Sequence, residues 1–124
     1  MTSTPKDLAG SRVLVVEDEV AISLLIEDML MDLGCEVVGP AGRIADALAL
    51  LAGDPVDYAI LDVNVGREES YPVAEALSEL GVPFVFSTGY GAVGLAEEYR
   101  DRPVLQKPFS QEELTRQMRR LAGG

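Results

Sequence analysis

The chain has 124 residues, 48% of them apolar, with 21 acidic and 10 basic side chains and a formal net charge of −11. That content fits one globular domain with a real core and argues against disorder and against a membrane span of about 18 apolar residues, and MTSTPKDLAGSR, which lacks an apolar core, is not expected to act as a secretory signal. The acidic balance argues against nucleic-acid binding, the absence of His removes His-based catalysis and most zinc sites, and the single Cys35 excludes an internal disulfide.

A cytoplasmic location is expected. Residues 1–10 are expected to form a flexible lead-in, with the folded domain over 11–122 and residues 123–124 as a tail. Between these ends, apolar runs alternate with helical patterns. Arg12 to Glu17 (RVLVVE) reads as a short buried strand. Glu19 to Leu33 follows as a helix, with Ile22, Leu25, Ile26, Met29 and Leu33 at helical spacing and Gly34 as its stop. Cys35 to Gly39 is strand two, with a packed thiol at its start. Arg43 to Leu51 is helix two, stopping near Gly53, and Asp57 to Asp62 (DYAILD) is strand three. Pro72 to Leu80 is helix three, with Pro72 suited to the first turn. Pro83 to Ser87 (PFVFS) is strand four, Gly91 to Tyr99 a short helix four, and Pro103 to Gln106 strand five. Glu112 to Leu121 is helix five, where Ser110 and Glu113 have the spacing of a capping box. Arg116, Arg119 and Arg120 fall towards its C-terminus, where positive charge is favourable.

Short apolar strands, each followed by a helix, argue a parallel sheet covered on both faces. Right-handed crossovers make it doubly wound, and five βα units are too few for an eight-stranded barrel. In an open sheet of this kind, the site lies beyond the carboxyl ends of the strands. The pattern puts Glu17, Asp18 and Glu19 after strand one and Asp62 after strand three. Ser87, Thr88 and Gly89 follow strand four, and Lys107 and Pro108 follow strand five. Carboxylates on one rim repel unless a cation sits among them, and their oxygens suit Mg²⁺. A Lys ammonium and a Thr hydroxyl would hold phosphoryl oxygens, leaving a carboxylate as nucleophile for an aspartyl phosphate.

The acid pair Glu17-Asp18, then Asp62, Thr88 and Lys107-Pro108, each ending a strand in this order, resembles the receiver domain of two-component systems over roughly residues 11 to 121. The segment FSTGYG, Phe86 to Gly91, and the stretch DVNVGREESYPVAEAL from Asp62 further resemble the FATGUY subset of stand-alone receivers. The resemblance implies a flavodoxin-like (βα)5 fold with strand order 2-1-3-4-5. It implies Asp62 as phosphoacceptor and Mg²⁺ held by Asp18, Asp62, the backbone carbonyl of Asn64 and, through water, Glu17. It implies Thr88 as a switch hydroxyl, Gly89 as a small neighbour and Lys107 as the phosphoryl-binding lysine beside a cis bond to Pro108. It also implies a sensor histidine kinase or phosphotransfer protein as donor. A protein partner would then read the face of helix four, strand five and helix five, with no turnover of an outside substrate.

One position departs from the family pattern. Receivers usually carry Tyr or Phe three residues before the lysine, and here that residue is Val104. Tyr90, or motion of the segment Gly89 to Gly94, is expected to carry the signal instead. Two other readings stay open. One is a phosphorylation-independent interaction module on the same fold. The other is a phosphatase of the haloacid-dehalogenase type, whose signature Asp62-Val63-Asn64 resembles only in part, since Asn64 stands where a general acid is needed.

Overall fold

The computed structural model describes residues 8–89 and 95–123. Five parallel strands form the main sheet: β1 (Arg12–Val16), β2 (Glu36–Ala41), β3 (Tyr58–Asp62), β6 (Phe84–Thr88) and β7 (Val104–Gln106), in the order β2-β1-β3-β6-β7. That is the expected order 2-1-3-4-5. The labels shift because a small antiparallel hairpin, β4 (Asn64–Val65) and β5 (Glu68–Glu69), sits between the third and fourth main strands. Among the described residues, four helices cover the sheet: α1 (Val20–Asp32), α2 (Ile44–Gly53), α3 (Tyr71–Leu80) and α4 (Gln111–Leu121).

Period-two alternation builds a separate core on each face. Leu14, Val16, Ala59, Leu61, Phe84 and Phe86 point to one side, where Ile44 and Ala47 of α2 and Val73, Ala74 and Leu77 of α3 meet them. Val13, Val15, Ile60, Val85 and Leu105 point to the other, against Ile26, Met29 and Leu30 of α1 and Leu114 and Met118 of α4. Both cores exclude water almost completely, which is the main stabilising term for a sheet of this kind. The second core reaches back to Leu8, which is buried beside Cys35, and the Gly10 N–H donates to the Gly34 carbonyl. Among the described residues, no helix is long and apolar enough to cross a membrane.

Local rules account for several boundaries. Gly34 carries φ 81° just past α1, as expected of a helix stop. Ser110 and Glu113 form the capping box: the Glu113 N–H donates to Ser110 Oγ at 3.1 Å and the Ser110 N–H to Glu113 Oε1 at 3.0 Å. Helix four needs correction. Residues 90–94 lie outside the described part. The remainder holds only a 3₁₀ turn, Glu97–Tyr99, after an extended Ala96. Packing decides this stretch: Leu95 and Tyr99 are buried, and the Ala96 N–H donates to the Tyr71 hydroxyl at 2.7 Å, a bond foreign to a helical ladder.

Candidate functional site

Alternation also selects what meets at the carboxyl edge. Val15 on β1, Ile60 on β3 and Leu105 on β7 all face the α1–α4 layer. Glu17, Asp62 and Lys107 each follow two residues later and turn to that same side. Lys107 Nζ lies 3.0 Å from Glu17 Oε1 and 3.2 Å from Asp62 Oδ2. Glu17 is 3% exposed and Asp62 9%, so these charges interact with little solvent screening. Asp18 stays exposed, yet carboxylate oxygens of Glu17, Asp18 and Asp62 come within 4.8 Å of one another. Two backbone donors fix the acid pair. The Glu19 N–H donates to Glu17 Oε2 at 3.1 Å, and the Gly66 N–H donates to Asp18 Oδ2 at 2.8 Å. Glu19 itself is the N-cap of α1.

One ammonium does not neutralise this rim. Burial, then the charge of Glu17, pushes the Asp62 carboxyl up to about 6, although Lys107 pulls the other way. For Lys107, burial disfavours the charge, but the hydrogen bond to Glu17 and the two carboxylates outweigh it and hold its pKa above the ordinary value. The donor set is entirely oxygen and carries surplus negative charge, which fits a hard divalent cation such as Mg²⁺.

The other expected residues that the structure describes lie at or just past the ends of β3, β6 and β7. Thr88 is buried at the end of β6, and its carbonyl accepts the Lys107 N–H at 2.8 Å. Gly89 is exposed beside it, and Tyr90 lies outside the described residues. The Lys107-Pro108 bond is cis, and Pro108 is exposed. Asn64 is exposed at the start of β4, two residues past Asp62. Val104 pairs with Phe86 and packs against the α2–α3 core. That core is rich in rings at this point. Tyr71 stacks on Tyr99 with centroids 5.1 Å apart, and Phe86 meets both edge-on at 5.9 and 5.4 Å.

The family model for the response regulator receiver domain matches residues 13–119. The chain belongs to the response-regulator receiver family. This receiver is 36% identical over 103 residues to the transcriptional regulatory protein PdtaR of Mycobacterium tuberculosis, covering 80% of the chain and 50% of the relative. It thus spans about half the length of the curated relatives it matches. Among solved structures it is similar to SdrG from Sphingomonas melonis, at 43% identity and TM-score 0.82, covering 90% of this chain and 96% of that one. The BeF3-activated conformation of SdrG matches at 42% identity and TM-score 0.80, covering 92% of this chain and 98% of that one.

Three features of the receiver site escaped sequence reading. The Gly66 amide on Asp18 depends on a hairpin whose strands are too short to show a period. Its one usable signal is Gly66, which carries φ 63° at the first loop position, as primed hairpin turns require. The Tyr71–Tyr99 stack joins residues far apart in the chain, and no spacing rule reaches it. The third is Ser87, buried and in register with Asp62 on the neighbouring strand, a placement that depends on strand pairing the sequence does not display.

Proposed function

We propose that this receiver takes a phosphoryl group onto Asp62 from a sensor histidine kinase or phosphotransfer protein, and that the modification changes how a protein partner binds. The observation that carries the reading is the meeting of Asp62 with Lys107 and the Glu17-Asp18 pair on one rim. Asp18, Asp62 and the Asn64 carbonyl would hold Mg²⁺, with Glu17 acting through water. Bound Mg²⁺ would neutralise charge developing on the transferred phosphoryl group.

The chain's own residues do the rest. An Asp62 carboxylate oxygen attacks phosphorus, and the donor leaves with the electron pair of the broken bond. Lys107, already beside Asp62, shifts its ammonium to a phosphoryl oxygen as charge moves outward. Thr88 donates its hydroxyl to another, with Gly89 leaving room beside it. Thr88 and Lys107 are joined through the backbone, so movement of one displaces the other. Tyr71, Phe86 and Tyr99 then link β6 to the segment entering β7, supplying the ring that Val104 lacks. Tyr90 and Gly89 begin that segment. The partner reads the face made by the turn at Glu97–Tyr99, β7 and α4. The likeness to SdrG, solved in a BeF3-activated conformation, supports this reading.

The test is intact mass after treatment with acetyl phosphate and Mg²⁺. Wild type gains one phosphoryl group and Asp62→Ala gains none. Absence of any gain across several small-molecule donors and a phosphotransfer protein would sink the proposal.

A further inference from the structure

The sheet order sets β6 between β3 and β7. Lys107 must therefore stretch across β6 to come within 3.2 Å of Asp62 Oδ2. The β6 residue in register with Asp62 is Ser87, which also pairs with Leu105 on the far side. Val85 faces the α1–α4 layer, and Ser87, two residues on, turns to the same side. Ser87 thus forms the floor beneath the Lys107–Asp62 ion pair. It is 1% exposed, and its Oγ has no hydrogen-bond partner among the described residues.

A buried hydroxyl left unpaired weakens a fold, and alanine would fill this place without that penalty. Modification of Asp62 changes the surroundings. The phosphoryl group brings three strong acceptor oxygens to a side chain one strand away. The Lys107 ammonium then turns to those oxygens and uncovers the floor. We propose that Ser87 is a further residue of the phosphoryl site, whose hydroxyl donates to an oxygen of the phosphorylated Asp62 side chain and so stabilises the modified form selectively. The inference rests on Asp62 being the phosphoacceptor. A contact made in one state and not the other is what shifts a two-state equilibrium.

The experiment titrates fluoroberyllate in the presence of Mg²⁺ into wild type, Ser87→Ala, Ser87→Cys and Asp62→Ala, reading the ¹⁹F resonances of the bound anion. Cysteine keeps the shape of serine and donates weakly. Both Ser87 variants are expected to bind roughly five- to tenfold more weakly than wild type, the effect of losing one hydrogen bond. At least one bound ¹⁹F resonance is displaced. Mg²⁺ affinity is unchanged, and the thermal midpoint of the unmodified variants equals or exceeds that of wild type. Wild-type affinity in Ser87→Ala overturns the inference. So does full affinity in Ser87→Cys alone, which would mark a packing role, or a parallel fall in Mg²⁺ affinity. If wild type binds no better than Asp62→Ala, the phosphoacceptor reading itself fails and this inference goes with it.

Discussion

The two faces of the sheet reach its carboxyl edge in different chemistry. On the α2–α3 side the core stays apolar, ending in the interlocked rings of Tyr71, Phe86 and Tyr99. On the α1–α4 side the same strands run from Val15, Ile60, Val85 and Leu105 straight into Glu17, Asp62, Ser87 and Lys107. A repeat of two residues thus divides the labour of one edge. One face anchors the backbone, and the other holds charges at positions the backbone fixes. The charged face weakens the fold locally: an Asp62 carboxyl pushed up to about 6 is one the folded chain holds charged only reluctantly at neutral pH.

The largest expected effect falls on the apolar face. Phe86→Ala removes the ring that meets the stacked Tyr71 and Tyr99 edge-on and is expected to destabilise by about 3–5 kcal/mol in denaturant titration. A loss below about 1 kcal/mol would show that the rings do not hold that layer. On the charged face the sign reverses. Asp62→Asn is expected to stabilise the metal-free protein at pH 7 by up to about 3 kcal/mol, the free-energy equivalent of raising a carboxyl from 3.8 to about 6.

The pH dependence sharpens this contrast. The folded state keeps the Asp62 proton between roughly pH 4 and 6, where the unfolded chain has released it, so stability from this group falls as pH rises through that window. The gap between Asp62→Asn and wild type should open from pH 4 to 6 and stay level above. A gap constant over that range would remove titration of Asp62 as its cause.

Mg²⁺ at about 100 times its dissociation constant should add about 2.7 kcal/mol to wild type, read as a higher Tm. Asp18→Asn should lose most of that gain while keeping the fold. An equal gain in the variant would take Asp18 out of the metal site. The smallest effect belongs to Tyr71→Phe, which deletes only the hydroxyl that accepts the Ala96 N–H. It should lower stability by about 1 kcal/mol. Hydrogen exchange at the Ala96 amide should rise with it, and an unchanged rate would place that amide in some other bond.

Much of this was legible in the chain because the chemistry-bearing residues sit where apolar runs stop. Glu17, Asp62 and Lys107 each close a short hydrophobic stretch, and in a doubly wound sheet those stops share one rim. The layering of helices on both faces followed from the same runs, whereas the strand order came with the family resemblance. Boundaries moved by a residue or two, as fraying ends do. The hairpin at Asn64–Glu69 was missed because two-residue strands, one of them Glu-Glu, carry no periodic signal. The stretch from Gly91 to Tyr99 was expected to be a short helix, yet its described part holds only the turn at Glu97–Tyr99, where Leu95 and Tyr99 are buried by contacts that the local sequence cannot report. Leu8 looked like part of a polar lead-in, since one apolar residue among polar neighbours gives no hint that a distant cysteine will cover it.

The amide of Gly66 that grips Asp18 makes the hairpin tip an unsuitable place to lengthen this protein. Gly66, Arg67 and Glu68 all face solvent, the usual sign of a tolerant graft point. Yet a tag or epitope inserted there would withdraw a donor from an acid some 48 positions earlier, freeing its carboxylate to swing. Such a fusion is expected to fold normally and to bind the proposed Mg²⁺ more weakly than the unmodified chain.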